Sequence, residues 1–326
     1  MGYGNYDKDA YKAITDTRVD KPKEEIFRQK KLFGPMDPKG LKVRESRDSD
    51  NHPNSIGVIF ALDQTGSMQD IPEKLARQEL PSFMELLIDG KFVADPQVLL
   101  MGIGDATTGE PAPLQVGQFE SEAELMDKWL TGIFLVGQGG GNAGESYDLA
   151  FYTAARHTAM DCWEKRSKKG YLFVTGDEPH LGEVDSQIVE DLIGKGPGQN
   201  MTMKEAVKEA SKTFNCFFLI PDKGRAARCA RSWTPLLGDN VIVMETSEDT
   251  CVVAATLIGL TEGTLADLKA ARKKLDDLGK PKAQIDRVMS AVKAYAKTLS
   301  KAGADDGDDA GDESPAPKGG KKPGRI

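Results

Sequence analysis

Cysteine is scarce in this chain, net positive charge is absent, and so are long apolar runs. Cys162, Cys216, Cys229 and Cys251 are the four cysteines in 326 residues, and no two form a Cys-x-x-Cys pair. That scatter argues against a disulfide or zinc framework and fits free thiols in a reducing cytoplasm. The formal net charge is −8, the wrong sign for a duplex binder, so nucleic acid is not expected as a partner. No apolar run reaches the ~18–20 residues that cross a bilayer. The N-terminal stretch "MGYGNYDKDAYKAITD" has no signal-peptide core, and Tyr6 stands where a myristoylation signal has Ser or Thr. The expectation is a cytoplasmic protein without a membrane attachment.

What is present is enough for one large domain with appendages, or for two small domains: 39% of residues are hydrophobic and 29% charged. Residues 1–54 are polar and of mixed charge, with an amphipathic helix expected at "EEIFRQKKLF", anchored by Ile26, Phe27 and Phe33, and a loop or extended stretch after it. From Ser55, apolar strands alternate with helices. "IGVIFAL", "QVLLMGIG", "GYLFVTG", "TFNCFFLI" and "DNVIVME" read as buried strands, and "LQVGQF" as a short edge strand. Between them "IPEKLARQELPSFMELLI" reads as a helix kinked or split by Pro81. "SEAELMDKWL" reads as a helix opened by a capping box, and "ESYDLAFYTAARHTAMDCW" as one long helix. "VKEASKTF", "GRAARCARSW" and "DTCVVAATLIGL" are helical. This alternation predicts an α/β fold: a doubly wound, mostly parallel six-stranded sheet with one short antiparallel edge strand and helices on both faces. Residues 55–262 make that domain. Residues 263–301 repeat apolar residues at helical spacing on either side of "GKP", leucines before it and Ile285, Val288, Met289, Val292 and Leu299 after it, and predict a helical hairpin. Residues 302–326 are acidic, then basic, with almost no apolar content, and are expected to be a disordered charged tail.

Parallel sheets bind ligands outside the carboxyl ends of their strands, and three segments converge there. "DQTGSM" sets Asp63, Thr65 and Ser67 at alternate positions just past the first strand. "GQGGGNAGES" (137–146) is a Gly-rich loop. "TGDEPH" (175–180) sets Asp177 just past another strand. Hydroxyls and carboxylates so placed suit a hard divalent cation, which takes oxygen ligands and keeps several waters. Taken alone, Asp63 also reads as an Asx turn, and Thr65 or Ser67 as a helix cap. The Gly-rich loop lacks the Lys-Ser/Thr of a P-loop. His180 reads as a loop residue near the rim. His52 and His157 read as structural, and Trp129, Trp163 and Trp233 as packing. Asp105, in "GIGDA", is a further rim candidate at a strand end.

These three segments, in this order, resemble the von Willebrand factor A domain with its metal-ion-dependent adhesion site. "DQTGSM" is similar to that family's Asp-x-Ser/Thr-x-Ser motif, in the subset that reads "TGSM". "GGGNAGES" is similar to its second loop and "TGDEPH" to its third. The resemblance covers about residues 55–262. It implies that Thr65 and Ser67 reach a Mg2+ (or Mn2+ or Ca2+) ion by their hydroxyls, while Asp63 and Asp177 act through water. Gly141 stands where many members have Thr, so Asn142, or a water held by Glu145, would supply the second loop's ligand. The family's site binds rather than catalyses. A partner's Asp or Glu completes the ion's coordination, and intracellular members often work beside a separate AAA+ ATPase of the MoxR type. Two other readings stay open. One is a structural subunit using the helical appendages. The other is a metal-dependent hydrolase with Glu145, Glu178 or His180 as base.

Overall fold

The computed structural model describes residues 4–66, 68, 70–136 and 144–305. Six strands form the central sheet: β1 (Ile56–Asp63), β2 (Pro96–Ile103), β3 (Leu114–Val116), β4 (Gly170–Thr175), β5 (Phe214–Ile220) and β6 (Val241–Val243). Their order across the sheet is β6-β5-β4-β1-β2-β3. All neighbours run parallel except β3, which turns back antiparallel on β2. β1 and β2 are buried at every position, as strands covered on both faces must be. The chain winds outward from β1 through β2 to β3, then returns to the other side of β1 at β4. The order therefore reverses between β1 and β4, and the crevice at their carboxyl ends is the switch point of the sheet.

Aromatic residues mark the two faces. Phe60, Phe173 and Phe217 form a row of rings on one face, with Phe83 set edge-on to Phe60 and Tyr295 edge-on to Phe217. Phe218, one residue on, points the other way and stacks on Trp233 at 4.0 Å between ring centres, beside Tyr147. Successive strand side chains alternate faces, so Phe217 and Phe218 tie β5 to both helical layers.

Several elements differ from the sequence expectation. The stretch expected as one long helix is a helix (Asp148–Arg156), a strand (Thr158–Met160) and a short helix (Asp161–Arg166). The Thr158 hydroxyl donates to the Ala154 carbonyl at 2.6 Å, closing the first helix. The strand then pairs in parallel with Arg44–Ser46 of the N-terminal extension. The expected helix at "EEIFRQKKLF" is a single turn, Lys23–Ile26, because Phe27 leaves helical geometry at φ −95°, ψ 86°. Ile26 and Phe27 are buried, and Phe33 packs near Trp129. The turn carries too little length to be stable alone and is held by those anchors. A longer N-terminal helix, Lys8–Asp16, buries Tyr11 completely. Before Pro81 the helix widens into a π turn, Leu75–Glu79, between helices Asp70–Lys74 and Leu80–Ile88. The widened turn accommodates a proline that lacks an N–H.

Ser121 is not a helix cap. Its hydroxyl donates to the Gly4 carbonyl at 2.6 Å, and His52 Nε2 donates to the same oxygen at 2.6 Å. His52 thus pins the N-terminal arm beneath the sheet. The C-terminal hairpin is built of helices Leu268–Asp277 and Lys282–Ala291, and its second arm bends at Val292 and runs on as Lys293–Asp305. Asp249, at the start of helix Thr250–Thr261, takes the Arg287 guanidinium in two hydrogen bonds of 2.6 and 2.9 Å. That pair fastens the hairpin to the sheet domain. The four cysteines are free and buried, and no helix among the described residues is long and apolar enough to cross a membrane.

Candidate metal site at the carboxyl rim

Asp63 ends β1 and is 1% exposed. One carboxylate oxygen accepts the Thr65 backbone N–H at 2.8 Å and the Thr65 hydroxyl at 2.6 Å. This is an Asx turn, one of the readings the motif allows. The other oxygen accepts the Tyr147 hydroxyl at 2.6 Å. Burial pushes the Asp63 carboxyl up to about 6, against the pull of the Thr65 and Tyr147 hydrogen bonds, and the charge of Asp177 raises it further. Tyr147 is held by the aromatic cluster of Phe218 and Trp233. Gly176, just past β4, makes room for it: a Cβ there would stand 2.5 Å from the Tyr147 hydroxyl.

Glu145 is brought to the same crevice by a parallel bridge to His180. It is 6% exposed, and its Oε2 has no hydrogen-bond partner among the described residues. Burial is the main cause that drives its carboxyl up to about 9, followed by the charges of Asp63, Asp105, Glu110 and Asp177. Asp105 repeats the Asp63 pattern one strand away. Its carboxylate accepts the Thr107 N–H at 2.8 Å and the Thr107 hydroxyl at 2.6 Å, and its second oxygen is unpartnered among the described residues. Asp148 is also buried, and that burial raises it to about 7.

Asp177 lies where the sequence places it, two residues beyond β4, and is buried. Its carboxylate is ion-paired with Arg225 from helix Lys223–Leu237, a neighbour that sequence reasoning does not supply. Glu178 likewise meets Arg228. His180 packs edge-on to Trp233 at 5.2 Å, and burial lowers its pKa. Ser67, Gly141 and Asn142 lie outside the described residues.

The rim therefore gathers Asp63, Thr65, Glu145 and Asp177 at the switch point. Its donors suit a hard cation in two respects. The Thr65 hydroxyl donates its hydrogen bond to Asp63, which leaves its lone pairs for an ion. Burial raises Asp63 and Glu145, neighbouring carboxylate charge adds to it, and a positive charge beside them would favour their ionised forms. Among the described residues, no three Asp, Glu, His or Cys side chains lie close enough to form a chelating group. An ion here would rely on hydroxyl and water oxygens, as Mg2+ tolerates.

No family model matches the sequence, and no curated protein does. Among solved structures, the pilus adhesin SpaC from Lactobacillus rhamnosus GG is similar. Its open conformation gives a TM-score of 0.43 at 9% identity, covering 66% of this chain and 31% of that one. A second crystal form gives 0.42 at 10% identity, covering 66% and 32%. This chain spans under a third of the adhesin's length by either measure. Similarity at that level carries no argument about activity or partners.

Proposed function

We propose that the rim is a divalent-cation site through which the protein binds an acidic side chain of a partner protein. The observation that carries the reading is the environment of Asp63. A buried carboxylate at the switch point collects two hydroxyl donors and one N–H, beside a buried Glu145 oxygen with no partner among the described residues. Thr65 and Ser67 would offer hydroxyls to the ion, with Asp63, Asp177, Asn142 and Glu145 acting directly or through water. A bound Mg2+ would supply a positive charge able to accept a carboxylate from outside. Tyr147 holds Asp63 in place, and the Thr65 hydrogen bonds orient its hydroxyl. The site as proposed binds and does not catalyse. A cytoplasmic adaptor or assembly factor working beside a separate MoxR-type AAA+ ATPase is the setting that the motif resemblance favours.

Pull-downs in Mg2+, in EDTA, and with Asp63→Ala in Mg2+ test the reading. The same partner bands should disappear under the last two conditions. Bands that survive both changes would refute it and favour a structural subunit bound through its helical appendages.

A further inference from the structure

Positive charge is unevenly shared among the carboxylates of the rim. Asp63 is held by neutral donors, the Thr65 N–H and hydroxyl and the Tyr147 hydroxyl. Glu145 keeps an oxygen with no hydrogen-bond partner among the described residues. Asp177 meets a guanidinium: Arg225 Nη1 donates to its Oδ2. The three carboxylates belong to one cluster, since the charge of Asp177 acts on both Asp63 and Glu145.

Three features mark the Arg225–Asp177 pair as one that opens. The Asp177 side chain is 3% exposed and that of Arg225 49%. The carboxylate is therefore fixed in the rim while its counter-charge lies half in solvent. One nitrogen meets one oxygen, without the two-bond fork that Arg287 makes on Asp249 or Arg18 on Asp127. Arg225 is also the third residue of helix Lys223–Leu237, whose start the Asp222 carboxylate already caps. A cation in the first turn faces the positive end of the helix dipole, so the helix gains nothing from this charge. Arg228, three residues on along the same helix face, meets Glu178 instead.

We propose that Arg225 determines how tightly the rim takes a divalent cation, because the guanidinium and the ion compete for the Asp177 carboxylate. The inference rests on the cation reading of the rim and adds to it a residue that none of the three motif segments contains. A divalent ion brings two charges to the cluster where Arg225 brings one, so it gains more from Asp63, Glu145 and Asp177 together. Arginine stays protonated at any working pH, so the ion must displace it. The half-exposed side chain turns into solvent without disturbing the sheet. A strut that merely positions Asp177 for the ion would have the opposite effect: removing it would weaken the site.

Mn2+ binding to the full chain, followed by electron paramagnetic resonance at constant ionic strength, separates the two signs. Arg225→Gln should bind Mn2+ at least ~3-fold more tightly than the parent, a modest gain because solvent already screens this arginine. Arg225→Met, of similar length and also uncharged, should match it, so the test stands if one variant folds poorly. Arg225→Lys keeps the charge and should stay within ~2-fold of the parent. Arg228→Gln should also stay within ~2-fold, which distinguishes competition at Asp177 from loss of any positive charge on that helix face. Saturable uptake by the parent with equal or weaker uptake by folded Arg225→Gln and Arg225→Met would overturn the proposal and leave the cation reading standing. An equal gain in Arg228→Gln would overturn it too. No saturable uptake by the parent would remove the cation reading, and this proposal with it.

Discussion

Asp63 and Tyr147 are separated by 84 residues and joined by one hydrogen bond of 2.6 Å. A buried carboxylate that loses one of its few donors becomes harder to ionise. Tyr147→Phe, which keeps the ring and its packing on Phe218 and Trp233, should lower stability near neutral pH by about 1–3 kcal/mol. Urea unfolding measures this, and a smaller loss at pH 5, where Asp63 is protonated more fully, is the accompanying expectation. Glu79, far from the rim on the π turn, offers a cleaner pH test. Burial is the main cause that lifts its carboxyl from 4.5 to about 8, while the Cys251 N–H and Lys74 pull it down. Between those values the folded chain holds a proton that the unfolded chain releases. Glu79 therefore makes stability fall as pH rises through that window, by at most about 1.4 kcal/mol per unit. Glu79→Gln removes this linkage, so the stability of the variant relative to the parent should climb from pH 5 to pH 8. A constant difference would contradict the assignment. Asp63, Thr65 and Asp177 were legible because a strand end followed by oxygen donors is a local pattern. Tyr147 and Arg225 were not, because what a buried carboxylate pairs with is settled by which helices the fold lays across it.

At the scale of elements, the six strands were readable from their apolar runs, and the breaks between helices were less so. Residues 145–163 carry helical periodicity throughout. The extended segment Thr158–Met160 exists because Arg44–Ser46 offers it a parallel edge, information held over 110 residues away in the sequence. The Ser121 hydroxyl sits at the right spacing to cap a helix but is used by the Gly4 carbonyl instead, a competition no local pattern records. The hairpin's attachment is likewise a tertiary matter. Asp249 is almost fully buried and Arg287 is 28% exposed. Arg287→Ala should cost about 2 kcal/mol, less than the ~3–5 kcal/mol of a fully buried pair because solvent screens the arginine. Thermal unfolding measures it. A lysine at 287 should recover only part of the loss, since it cannot reproduce the two-bond fork.

Across the whole molecule, the sheet order reverses between β1 and β4, and the acidic rim opens there. An arm from the N-terminus is pinned below the sheet by His52 and Ser121. The hairpin is clamped to one face by Arg287, and a row of arginines borders the rim on the other. The winding of the sheet was legible in the alternation of strands and helices, because parallel strands joined by crossovers have few ways to close. The arginine row was not, since its meaning depends on Asp177 and Glu178 lying beside it. The central claim is that this rim holds a divalent cation, and Mn2+ binding followed by electron paramagnetic resonance tests it most directly. The full chain should take up Mn2+ at one saturable site, release it to excess Mg2+, and bind at least ~10-fold more weakly with Asp63→Asn, a difference of about 1.4 kcal/mol. No saturable uptake by the parent chain, or equal uptake by Asp63→Asn, would contradict the account.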